Sequence, residues 1–214
     1  MNTTENPFKK IGYALIVIGI VDILFMIYCI SNRINYSSSF NIFAVISGIL
    51  LVKGSVRTAR FLRVATGFLV ASFLGMFIVS PFLQPLDLTM LNLKLNTFKV
   101  IGQYLISAAL LAILIWVHLS LSGKQVLSAL AEAGYKTGRP KIAYGLGLGF
   151  VVLMTIMMNF FLVEEKQMAI ELAKQNAGET MKGHVSSISV SGDRGAATVI
   201  LYDDSSKNYV TVDW

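Results

Sequence analysis

Long apolar runs broken by short polar, basic interruptions fill the first three quarters of the chain. Runs at 11–30, 64–83, 100–121 and 142–163 are each long enough to be read as a bilayer-crossing helix. A fifth run, at 40–52, is shorter. It reaches spanning length, over 37–54, only with Ser37, Ser38, Ser39 and a Lys53 whose stem lies along apolar surface while its ammonium reaches water. The first run is too long for the core of a signal peptide and has no small-residue cleavage site, so it is expected to stay as an anchor. Residues 1–163 are therefore expected to form a membrane all-α domain, a five-helix transmembrane bundle.

After residue 163 the period changes. Met168, Ala169, Leu172 and Ala173 recur at helical spacing over 164–175, and Asn176 to Gly178 supply a stop, since Asn and Gly tolerate the left-handed cap. Alternating segments follow at 184–191, 196–202 and 208–214, separated by SGDRG at 191–195 and DDSS at 203–206, both rich in turn formers. The pattern predicts a small extracytoplasmic α+β domain over 164–214, one helix on a three-stranded antiparallel meander. In order of elements alone, with no shared motif, it resembles small extracytoplasmic modules such as PepSY-like domains. So short a segment buries little surface, and it is expected to lean on the membrane surface, an outer loop or a partner chain.

Two connecting segments carry patterns of their own. Residues 122–134 place Val126, Leu127, Leu130 and Ala131 on one helical face before a glycine, which predicts a helix lying along the inner membrane surface. Residues 85–99 are leucine-rich, and their period fits a helix and a strand equally.

Charge adds orientation. Only 14% of residues are charged and 55% are hydrophobic, against about 25% charged in soluble domains. The net charge is +6, but residues 1–163 hold 13 Lys or Arg against 4 Asp or Glu, whereas 164–214 hold 5 against 8. A basic excess beside apolar runs points to anionic lipid head groups rather than nucleic acid. With the N-terminus cytoplasmic, inside segments hold ten basic residues (Lys9, Lys10, Lys53, Arg57, Arg60, Arg63, Lys124, Lys136, Arg139, Lys141) and short outside loops three (Arg33, Lys94, Lys99). That asymmetry predicts a multi-pass protein of a bacterial inner (plasma) membrane, with an anionic inner leaflet and an extracytoplasmic C-terminus. Tyr13, Trp116 and Tyr144 fall near inner ends and Tyr28, Tyr104, Phe160 and Phe161 near outer ends, where aromatic belts belong. Arg57, Arg60 and Arg63, at every third position, are expected to hold lipid head groups.

Candidate chemistry is sparse. Asp22 is the one acidic residue within an expected span, and an intramembrane carboxylate is costly unless paired, hydrogen-bonded or protonated. Ser47, Ser72, Ser107 and Thr155 fall near its depth on the other spans. The group is read either as a proton or cation site or as a structural carboxyl held by those hydroxyls or by Lys53. Gly67, Ala71 and Gly75 at four-residue spacing, and Gly145 and Gly149 with Gly147 between them, are expected to allow close helix approach within the chain. Met154, Met157 and Met158 read as gap fillers, Cys29 as a small packing residue and His118 as a surface-facing histidine near the inner interface. GLGLG at 145–149 lies inside an apolar run with no preceding strand, so it is not a nucleotide loop. No Walker, HExxH, CxxC or GxSxG motif occurs, and no metal or cofactor is expected.

These features predict a non-enzymatic accessory, assembly or sensor subunit whose outer domain engages a protein partner. The alternative is a small oligomeric ion or proton channel or transporter centred on Asp22, against which an odd span count without internal repeat weighs. Reporter fusions at residues 135 and 214 should report opposite sides of the membrane, cytoplasmic for the first. Both on one side would overturn the five-span topology.

Overall fold

The computed structural model describes residues 6–33, 36, 41–160, 162–177, 181–192 and 194–214. In chain order the elements are α1 (Lys9–Ser31), α2 (Asn41–Val52), α3 (Val56–Val79), a 3-10 turn (Ser80–Phe82), α4 (Leu86–Leu95), α5 (Thr97–Leu121), α6 (Lys124–Glu132), α7 (Lys141–Phe160), α8 (Val163–Ala177), β1 (Lys182–Ser191), β2 (Arg194–Tyr202) and β3 (Lys207–Asp213). The fold is mostly helical, closed by a three-stranded antiparallel sheet of order β1-β2-β3. Helices over Lys9–Ser31, Val56–Phe82, Thr97–Leu121 and Lys141–Phe160 are long and apolar enough to cross a membrane. The 12 residues of α2 extend about 18 Å, short of a hydrocarbon core of about 30 Å. Residues 37–39, which the sequence reading adds to that span, and Phe40 of the run itself lie outside the described residues, as do Phe161, the Gly178 cap and Asp193 of the first sheet turn.

Local chemistry sets the helix ends. The Ser55 hydroxyl accepts the Thr58 N–H at 3.3 Å, so α3 is capped eight residues ahead of the apolar run and takes in all three arginines. Pro81 lies in the 3-10 turn that ends it. Residues 85–99 resolve as helix: α4 starts after Pro85, whose carbonyl receives the Thr89 N–H. Gly54, at φ +83°, makes the tight turn from α2 to α3 that few other residues could adopt.

The chain forms two compact units, residues 1–73 with 110–148 and residues 74–109 with 149–214. In the first, Ile11, Leu51, Leu62, Val117, Leu121 and Leu130 from five helices share one core. The apolar face of α6 enters that core through Val126 and Leu130. The Asn6 side-chain amide donates to the carbonyls of Leu51 and Val52 at 3.0 and 2.9 Å, which ties the start of α1 beside the end of α2.

Glycine contacts bring these backbones together. A Cβ on Gly12 would lie 2.7 Å from the Gly48 carbonyl oxygen, and one on Gly147 would lie 2.5 Å from that of Phe68. Gly67 admits the Tyr144 and His118 rings, and a Cβ on Gly147 would meet the Ala71 methyl at 2.8 Å. Gly145 and Gly149 meet nothing within 4 Å among the described residues. The close face of α7 is therefore set by Gly147, which points away from its two neighbours because residues two apart on a helix do not share a side.

In the second unit α8 packs Ala169 and Ala173 against Ala197, Val199 and Leu201 of β2 and Val212 of β3. The alternate residues of β2, Ile200 and Tyr202, bury Leu88 and Leu91 of α4 on the other face. Gly75 faces Val151, 3.1 Å from where its Cβ would stand. A bulge between Val185 and Ser187 in β1 shifts its pairing with β2.

These contacts set the order of substitution costs. Gly147→Ala forces α7 away from a backbone carbonyl and should cost about 1–3 kcal/mol, the usual range for overpacking. Gly145→Ala should be neutral or raise stability, since Gly weakens an open helix by about 0.5–1 kcal/mol relative to Ala. Thermal unfolding of both variants in detergent reads the difference, and equal melting temperatures would remove Gly147 as the packing residue.

Candidate functional site

Two places bring polar side chains onto buried surface. The first lies in the second unit, where α4 meets the sheet. Tyr202 is in register with Lys182 of β1 on one side and Lys207 of β3 on the other. This cross-strand row grips α4. The Lys182 ammonium lies 2.5 Å from Asp87 Oδ2, the Tyr202 hydroxyl donates to Asp87 Oδ1 at 3.3 Å, and the Lys207 ammonium donates to Asn92 Oδ1. Asp87 Oδ1 also accepts the Leu88 N–H at 3.1 Å.

Chiefly the Lys182 ammonium holds the Asp87 carboxyl below its usual range, and Asp87 in turn raises Lys182. Burial, and then the Asp87 charge, push the Tyr202 phenol up. Asp87 and Lys182 are solvent-exposed, so their pairing fixes register more than it adds stability. The holding energy comes from the apolar layer beneath, at about 1.5–3 kcal/mol for each large side chain fully removed from water. Leu88 and Leu91 fit that description.

The second place is a buried polar chain in the first unit. The Thr66 hydroxyl sits 3.0 Å from His118 Nδ1, and His118 Nε2 sits 2.6 Å from the Tyr144 hydroxyl. Three helices are thus joined through one imidazole. Beside it Arg63, 6% exposed, donates from Nη2 to the carbonyls of Thr137 and Gly138 at 2.9 and 3.0 Å and from Nε to the Ser122 hydroxyl at 3.3 Å. Arg60 lies over the Tyr135 ring at 4.7 Å.

These positions correct the sequence reading. Arg63 holds the 122–140 segment in place of head groups, because α3 begins early enough to turn it inward. His118 faces the core, 6% exposed, and not the surface. Arg57 is exposed on α3. Two of the four residues expected around Asp22 have other engagements. A hydroxyl has one proton to give. That of Ser72 goes to the Gly147 carbonyl at 3.2 Å and that of Thr155 to the Val151 carbonyl at 2.8 Å. Ser47 is buried on α2, Asp22 and Ser107 are half-buried on α1 and α5, and Ser107 and Thr155 belong to the second unit. Among the described residues no three His, Cys, Asp or Glu side chains cluster as metal ligands would.

Burial, and then the Lys166 ammonium, lower the affinity of His184 for a proton in the folded state. His184 stands opposite Ile200 in the sheet. The unfolded chain therefore binds that proton more readily, so the contribution is complete above pH 6.5 and is lost as pH falls through 6.5 toward the folded value. Asp87, depressed below 3.8, keeps its charge throughout that window. The second unit should unfold more easily at pH 5 than at pH 7, and His184→Gln should flatten the dependence. An unchanged slope in that variant would assign the effect elsewhere.

Comparison with known protein families, with curated proteins and with solved structures finds no match to this chain.

Proposed function

We propose that the chain is a non-enzymatic, multi-pass membrane accessory or sensor subunit whose outer sheet engages a protein partner. The observation that carries this reading is the grip of all three strands on α4. A domain held at Asp87, Leu88, Leu91 and Asn92 is not a loose appendage. It is fastened to the short connection between α3 and α5, where a single residue, Asn96, separates α4 from α5. Occupancy of the sheet therefore bears directly on the ends of two long helices.

The membrane reading draws on exposure as well as composition. Along α1, Val17, Val21, Leu24 and Ile27 are each more than half exposed, which suits lipid as solvent and not water. The α1–α2 pairing is compatible with a fifth crossing beside the four long helices. Asn6 places the end of α2 beside the start of α1, so a chain that leaves one side along α1 is back on that side by Val52. With Arg57, Lys124 and Lys136 inside, this leaves the C-terminal sheet outside.

Photo-crosslinking in the native membrane tests the reading. A crosslinker replacing Tyr209, 62% exposed on β3, should capture one defined partner chain. Asp87→Lys, which sets two cations together, should reduce that product several-fold at unchanged protein level. No product from the sheet, with cation flux by the purified chain in liposomes that Asp22→Asn abolishes, would replace it with the channel reading.

A further inference from the structure

An open groove of about 270 Å³ lies in the first unit where the start of α1, the end of α5 and the first turn of α6 come together. Its floor is apolar, formed by the buried Ile11 and Val126. Its rim carries two exposed ammonium groups, Lys10 and Lys124, with the Ser120 hydroxyl and the Gln125 amide as neutral donors. No acidic residue lines it. The Trp116 indole, 48% exposed, forms one wall. An apolar floor, a cationic rim and an indole wall are the three chemistries met in order at a membrane–water boundary.

The geometry points to this groove as a binding site for one phospholipid of anionic head group. Its phosphate sits between Lys10 and Lys124, and its glycerol and upper chain lie against Trp116 and Ile11. The two lysines come from separate elements and converge on one opening, so their charge is focused there in a way that isolated surface lysines are not. The first turn of α6 adds to it. That turn lines the groove, Gly123 at its cap brings no side chain, and no side chain caps the helix, so its leading amides are left to an outside acceptor. Two of the three arginines that the sequence suggests for this task are engaged elsewhere, Arg63 with backbone carbonyls and Arg60 with Tyr135.

The inference rests on the membrane reading and is independent of whether a protein partner binds the sheet. Native mass spectrometry of the full chain, purified in mild detergent and offered phosphatidylglycerol and phosphatidylcholine at equal concentration, tests it. The parent should retain phosphatidylglycerol preferentially. Lys10→Gln and Lys124→Gln should each weaken that preference by about fivefold, and the double variant by about the product. Lys136→Gln, which removes an exposed cation outside the groove, should leave it unchanged. Sodium phosphate should fail to displace the lipid, because the free ion lacks the part that lies on Ile11 and Trp116. Equal retention of the two lipids, an undiminished preference in both single variants, or displacement by sodium phosphate alone would each overturn the proposal. The last would make the groove a soluble-anion site. The single variants keep the test intact if the double variant does not fold.

Discussion

Four helices of this chain are long and apolar enough to cross a membrane, and helices with lipid as solvent would gain little from one another by excluding water. What remains is dispersion, which needs close contact, and hydrogen bonding in surroundings that make it strong. Gly12 against Gly48 and Gly147 against Phe68 supply the first, since each lets one backbone rest on another's carbonyl. The Thr66–His118–Tyr144 chain and the Arg63 contacts supply the second. Both kinds lie in the same unit, and they account for why bulky side chains such as Val17 and Leu24 are left on its outside.

The C-terminal sheet meets the opposite condition. It has too few residues to exclude water from both its faces by itself, so its middle strand borrows a layer on each side. Ala197, Val199 and Leu201 use α8, and Ile200 and Tyr202 use α4. The alternation that places these residues is the ordinary pleat, but both faces are apolar. The sheet would expose a greasy surface if α4 left. That makes the α4 contact a condition of the sheet's solubility as much as of its position, and the exposed Asp87–Lys182 pair sets the register of a contact whose energy is hydrophobic.

Much of this was legible in the residues. The four long helices, α6, α8 and the three strands each answer to a run or a period that can be read directly, with ends displaced by caps such as Ser55. Other features were legible but misassigned. The segment 199–202, VILY, is a continuous apolar run, the signature of a strand buried on both faces; read as simple alternation, it hides the second layer. Gly147 stood between two glycines of a familiar spacing, and helical rotation alone decided which of the three faces α3. The pairing of Asp87 with Lys182, 95 residues apart, and of Thr66 with His118 follows from tertiary packing and left no local mark. Arg63 is a similar case. Its charge suggested a lipid surface, but its place one turn before Thr66 on a helix that starts early turned it toward the 122–140 segment.

The contrast between Arg63 and Lys10 or Lys124 explains how one basic surface can divide its work. A guanidinium can be buried without a carboxylate when its planar donors meet carbonyls that are themselves fixed, as those of Thr137 and Gly138 are. An ammonium on a flexible stem is more strongly hydrated and is better kept at a rim, where it can meet a mobile charge. The arginine thereby holds the 122–140 segment on which α6 follows α5, and α6 in turn presents Lys124 to the groove. A head group held by those lysines would then depend on the buried arginine through the backbone it holds.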